Sequence, residues 1–108
     1  MSKGTNVWTG SGNVASDIQY GKTGKKDEDA CNFRIAIEKA HRPLVFVRIN
    51  IYGGNVDVCK MRGLKKGDYV IVSGELMNRD GRDGTITEVR CMDLVIKSSD
   101  KRRDVDGF

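Results

Sequence analysis

Leu44-Val45-Phe46-Val47-Arg48-Ile49-Asn50-Ile51-Tyr52 is the stretch on which the reading of this chain turns. Val45, Val47, Ile49 and Ile51 take every second position, and because successive side chains of a β-strand point to opposite faces, they make one apolar face of a strand. The other face carries Phe46, Arg48, Asn50 and Tyr52. A solvent-facing strand surface ordinarily holds plain polar residues, whereas this one sets two aromatics around an arginine and an amide, a pattern suited to binding.

The segments on either side repeat the strand signal. Cys31 to Lys39 alternates, with Cys31, Phe33, Ile35 and Ile37 on one side and Asn32, Arg34, Ala36 and Glu38 on the other, so Phe33 belongs to the core and Arg34 extends the face of Arg48. Val7 to Val14 forms a first strand that Gly10 and Gly12 allow to bend, and Ile18 to Tyr20 continues it. Gly21 to Asp29 is a polar loop. Asn55 to Met61, with Asn55 as N-cap and Val58 and Met61 apolar, fits two turns of helix. Tyr69 to Met77 and Thr85 to Ile96 are the last strands, joined by a hairpin loop over Asn78 to Gly84 in which Asp80-Gly81 and Asp83-Gly84 are turn signals. The order β-β-β-α-β-β is the connectivity of the OB-fold: all-β, a five-stranded barrel with a short helix between the third and fourth strands.

Composition bounds the rest. The chain has 108 residues and 13 glycines but one proline, which fits one small β domain with tight turns. No apolar run approaches the roughly 18 residues needed to span a bilayer, and Met1-Ser2-Lys3-Gly4 lacks a secretory core, so a cytoplasmic protein without membrane contact is expected. Cys31, Cys59 and Cys91 fit neither a disulfide framework nor paired metal ligands and are expected to be reduced and structural. His41, before Arg42-Pro43, sits in a turn. No P-loop, Ser-His-Asp order or metal cluster is present, and Asp-Gly turns account for Asp80 and Asp83 near Glu88, so neither an enzyme nor a metal or other cofactor is expected. The net charge is +4, and the whole excess falls between residues 30 and 62, where Arg34, Lys39, Arg42, Arg48, Lys60 and Arg62 face only Glu38 and Asp57. That segment also holds Phe46 and Tyr52. A sequence-tolerant binder of single strands needs this mixture, a basic groove for phosphates and aromatic faces for unpaired bases.

Several segments resemble, in order, those of the bacterial and phage single-stranded DNA-binding proteins, over residues 6 to about 96. Gly12-Asn13-Val14 and Asp17-Ile18-Gln19-Tyr20 are similar to the family's opening stretch, and Asn32-Phe33-Arg34-Ile35-Ala36-Ile37 to its second strand. Phe46-Val47-Arg48-Ile49-Asn50-Ile51-Tyr52-Gly53 resembles the segment that supplies stacking residues. Leu64-Lys65-Lys66-Gly67-Asp68-Tyr69-Val70, Val72-Ser73-Gly74-Glu75-Leu76 and Thr87-Glu88-Val89 follow in the family's order. Two departures reduce stacking capacity: Ala40 and Gly81 stand where the family often has aromatics. The long linker is missing, and residues 98–108 form a short charged tail after an OB domain of residues 1–97. Its end, Asp104-Val105-Asp106-Gly107-Phe108, looks like a shortened form of the family's acidic tip, which implies contact with replication proteins through Asp104, Asp106 and Phe108. Lys101, Arg102 and Arg103 offset its charge.

The expected function is sequence-independent binding of single-stranded DNA in replication, recombination or repair. Phe46 and Tyr52, about 20 Å apart at roughly 3.3 Å per residue, would stack different bases, with Arg48 on the intervening phosphate and Arg34 beside it. Trp8 and Tyr20 are further stacking candidates. Lys22, Lys25 and Lys26 from one loop, Arg79 and Arg82 from the other, and Lys60 and Arg62 are candidate phosphate contacts. A homo-oligomer, dimer or tetramer, is implied by the resemblance. The alternatives are an OB module for protein contact, of the primosome-accessory type, and an RNA-binding module.

Overall fold

The computed structural model describes residues 4–24, 27–40 and 42–97. Its elements are β1 (Trp8–Val14), β2 (Gln19–Lys22), β3 (Asp29–Lys39), β4 (Arg42–Tyr52), α1 (Gly54–Met61), β5 (Tyr69–Gly81) and β6 (Gly84–Lys97). The sheet order is β1-β5-β6-β4-β3-β2, and a further β1–β3 pairing closes β1, β5, β6, β4 and β3 into a five-stranded ring. All neighbours are antiparallel except β4 and β6, which run parallel at Ile49↔Val89 and Asn50↔Arg90. This is the OB barrel expected from the element order, with the helix between the third and fourth strands of the ring.

The alternation read in the sequence is what fills it. Phe33, Ile35, Ile49, Ile51, Val70, Val72 and Val89 are all buried inside the ring, and α1 adds Val56 and Cys59. Two glycines let the strands approach closely enough to close. A Cβ on Gly12 would land on the Ala36 carbonyl where β1 crosses β3, and a Cβ on Gly74 would land on the Arg90 carbonyl. At Gly74 the pairing skips from Ser73↔Asp93 to Gly74↔Cys91, so Met92 is the extra residue of a β-bulge in β6. The start of β5's partner is extended by a side chain: Asn6 Nδ2 donates to the Leu76 carbonyl at 2.8 Å and its Oδ1 accepts from Leu76 N–H at 2.9 Å, copying a ladder pair.

Four expectations are corrected. Residues Gln19–Lys22 do not continue the first strand but form a separate short strand on β3, in the register Gln19↔Asn32 to Lys22↔Asp29, because the chain turns away after Val14, whose N–H donates to the Asp68 carbonyl. The polar loop is therefore shorter than Gly21 to Asp29. The supposed hairpin loop over Asn78 to Gly84 is mostly strand: pairing runs on to Gly81↔Gly84 and leaves Arg82 and Asp83 as a two-residue turn, which the positive φ of Gly84, 131°, helps to close. The N-cap of the helix is Gly53, with φ 66° and no side-chain cap hydrogen bond, and Asn55 lies within α1. Cys31, Cys59 and Cys91 are all buried as free thiols. The Cys59 side-chain contact and burial push the Cys31 thiol up, and burial pushes Cys91 up to about 11, which fits inert core residues. Among the described residues, no group of three potential ligands could hold a metal ion, and no helix is long and apolar enough to cross a membrane.

Candidate nucleic-acid interface

The outer face of β3, β4 and β6 follows from register. Antiparallel partners share a face, and β3 and β4 pair Asn32↔Asn50, Arg34↔Arg48 and Ala36↔Phe46, so Arg34 and Arg48 stand directly opposite each other. Like charges in that position are unfavourable; what offsets them lies on the neighbouring strand. Glu88 of β6 is 2% exposed and its Oε2 is 3.3 Å from Arg48 Nε. The same oxygen accepts from Arg79 Nε at 3.0 Å and from Arg79 Nη2 at 2.8 Å. Oε1 accepts from Asn50 Nδ2 at 2.9 Å. A buried carboxylate thus fixes two half-exposed guanidiniums by their inner edges and leaves their outer N–H groups to solvent. Burial pushes the Glu88 carboxyl up, but the hydrogen bonds from Arg79 and Asn50 and the charge of Arg48 outweigh it, so its pKa lies below the ordinary 4.5.

Two depressions flank the Arg34–Arg48 pair. One, about 290 Å³, is lined by Arg34, Phe46, Arg48, Arg79, Ile86, Thr87 and Glu88. Phe46 is 57% and Ile86 39% exposed there, an apolar surface beside three cations. The other, about 260 Å³, continues across β3 to β2 and is lined by Ser16, Asp17, Gln19, Asn32, Phe33, Arg34 and Arg48. Tyr52 lies further along β4, half-buried, with the Arg90 guanidinium 5.5 Å from its ring centre.

The candidate residues divide accordingly. Phe46, Arg48, Arg34 and Arg79 come together in the groove, and Tyr52 shares its face. Asn50, placed on the same face by alternation, is buried there by Glu88 instead of being offered to a ligand. Trp8 is partly buried against the core, with its ring over Gly10, away from the groove. Tyr20 pairs with core-facing Cys31, so it lies on the other side of the sheet from Arg48, with Lys60 Nζ 5.4 Å from its ring centre. Arg62 Nη2 donates to the Ile96 carbonyl at 3.1 Å and ties the chain after α1 to β6. Lys22 pairs with Asp29 at 3.1 Å, and this hydrogen bond holds the Asp29 carboxyl below its ordinary pKa. Arg82 sits in the exposed turn between β5 and β6. Lys25, Lys26, His41, Asp104, Asp106 and Phe108 lie outside the described residues. Sequence reasoning missed Glu88, Ile86 and Arg90 as parts of this face. Their signal is the period-2 series Ile86-Glu88-Arg90 within the strand read at Thr85 to Ile96; taking Asn78 to Gly84 as a loop hides that Arg79 pairs with Ile86 and shares their face.

The model of the Single-strand binding protein family matches residues 6–99. The chain belongs to that family. No curated protein sequence matches it significantly. Among solved structures, it is similar to a deletion variant of the single-stranded DNA-binding protein from Thermus aquaticus, at 21% identity and a TM-score of 0.73, over 89% of this chain and 42% of that one. It is also similar to the dimeric N-terminal domain of PriB protein from Thermoanaerobacter tencongensis, at 20% identity and a TM-score of 0.68, over 84% of this chain and 94% of that one. A third, the SSB domain of a Synechococcus sp. protein, has 13% identity and a TM-score of 0.69, over 87% of this chain and 98% of that one. At these identities the similarities establish the OB-fold, and the family assignment rests on the sequence match.

Proposed function

We propose that this family member binds single-stranded DNA along the groove between β3, β4 and β6, coating and protecting strands in replication, recombination or repair. One observation carries the reading: Arg34 and Arg48 stand in register beside exposed Phe46, and buried Glu88 holds Arg48 and Arg79 from beneath. Phosphates need donors without acceptors, which the outer edges of Arg34, Arg48 and Arg79 supply, while Phe46 offers a face on which any base can stack. Tyr52, with Arg90 against its ring, is a second platform further along the strand. A labelled oligo(dT) titrated at several salt concentrations tests this. Saturable binding weakened by salt and by R48A is expected, and no binding at low salt would sink the proposal. Oligo(U) competition separates DNA from RNA preference.

The protein-contact alternative is favoured by the dimeric PriB domain of similar fold. On its terms the Phe46 face is a seam between subunits, and F46A lowers the mass in solution before it lowers DNA affinity. A homo-oligomer is proposed under either reading: β1 pairs with β3 only at Asn13 and Val14, so the edge from Trp8 to Ser11 has no ladder partner on that side among the described residues and can take another strand. Recruitment of replication proteins through Asp104, Asp106 and Phe108 is a separate proposal, tested by removing residues 98–108.

A further inference from the structure

The depression on the β2 side of the arginine pair has a different chemistry from the groove around Phe46. In the Phe46 groove the only carboxylate, Glu88, is consumed by Arg48, Arg79 and Asn50. Around the other depression, the side chains of Asp17, Gln19, Asn32 and Arg34 make no hydrogen bond or ion pair with any described residue. Their positions are nonetheless set by backbone. Gln19 and Asn32 are ladder partners on β2 and β3. Arg34 N–H donates to Ser16 Oγ at 2.8 Å, and Ala15 N–H donates to the Arg34 carbonyl at 2.8 Å, fixing the corner that carries Asp17.

A site of this kind is wrong for a phosphate, which only accepts hydrogen bonds and is repelled by Asp17. It suits a group that offers donors and acceptors side by side, as the edge of a nucleobase does. Two amides provide both kinds of partner and Asp17 provides acceptors only. Arg34 and Arg48 border both depressions, so a base seated here would have its own phosphate at the arginine pair. Asp17 then discriminates by charge: an exocyclic amino group donates to it, whereas the carbonyl oxygen that uracil or thymine carries at the same place meets it lone pair to lone pair.

We propose that Asp17, Gln19 and Asn32 form a base-edge subsite in which Asp17 favours a base bearing an exocyclic amino group over uracil or thymine. This rests on the single-stranded DNA reading and adds a bias to binding otherwise tolerant of sequence. Cytosine presents an amino donor beside an N3 acceptor and uracil a carbonyl beside an N3–H donor, so equal-length oligo(dC) and oligo(dU) reverse the edge offered to Asp17, and its contribution is read by removing it. Affinities for both are measured for the wild-type chain, D17A, and D57A, which removes a carboxylate from α1 on another part of the surface. The ratio of dC to dU affinity is expected to fall about fivefold in D17A, the lower end of what one well-placed base contact discriminates. D57A should leave it unchanged. Because Asp17 is exposed and without a described partner, D17A should melt like the wild type. An unchanged ratio in D17A, or an equal fall in D57A, overturns the subsite while leaving single-strand binding in place. Failure of the wild type to bind either oligonucleotide overturns both.

Discussion

At the residue scale, the groove is a division of labour between one buried carboxylate and the cations above it. Removing Phe46 deletes a stacking face without touching charge, so F46A should cost about 1–3 kcal/mol of oligonucleotide affinity and leave the salt slope intact. R48A should do the reverse in part, reducing the slope of log affinity against log salt by about 0.7 for the phosphate contact it loses. Salt-resolved titrations of the two variants separate these signatures. Glu88 acts earlier, on the fold. E88A leaves Asn50 buried without its acceptor and Arg48 and Arg79 without their counter-ion. The expected loss is about 1–3 kcal/mol, toward the lower value because both paired guanidiniums keep contact with water, read as a lower denaturant midpoint. The pH dependence has a definite sign. With its folded pKa below the ordinary 4.5, Glu88 contributes stability that is fully present above that value and lost as pH falls through the lower folded value. Melting curves between pH 6 and pH 3 should therefore fall less steeply for E88Q than for the wild type, and parallel curves would count against the network.

Elements close into a barrel only where backbones can touch, and two glycines permit it. Gly12 and Gly74 each face a carbonyl of a neighbouring strand with no room for a Cβ, so G12A and G74A should destabilise by about 1–3 kcal/mol, as overpacked sites do. G24A, a change where a Cβ would meet nothing, is the control for urea unfolding. The same elements show what the sequence disclosed. Alternation in Cys31 to Lys39 and Leu44 to Tyr52 separates the core side chains from the outer face that holds Phe46 and Arg48, because a one-residue shift would put every apolar side chain into water. It also put Arg34 on the face of Arg48. What it could not show was pairing between distant strands: that Glu88 reaches under Arg48 and Arg79, or that Tyr20 and Lys60 meet on the other side. The ends of β5 and β6 were misread for a local reason. Asp80-Gly81 and Asp83-Gly84 are turn signals, but cross-strand pairing carried the ladder through the first and left only Arg82 and Asp83 to turn. Trp8, a stacking candidate in the sequence, packs instead against the core, on a strand whose partner β5 lies about 60 residues away in the chain.

For the whole molecule, charge placement matters more than net charge. A chain of net +4 is no polybasic protein, and in the fold Lys22, Lys60 and Arg62 are directed to Asp29, Tyr20 and the Ile96 carbonyl. Arg34, Arg48 and Arg79 remain as the cations gathered in the groove. Three phosphate contacts at about 0.7 each give a log–log salt slope near −2 for an oligonucleotide that spans one protomer. If copies of the chain share a strand, the slope should deepen in steps of about that size as oligo(dT) is lengthened, while light scattering on the same samples reports how many protomers are held. A slope steeper than about −4 on the shortest oligonucleotide that binds would mean that cations beyond the groove carry the affinity. A slope that stays near −2 at every length would mean that each strand engages a single groove. Stepwise deepening with constant protein mass would instead mark an oligomer, formed before DNA arrives, around which the strand is wound.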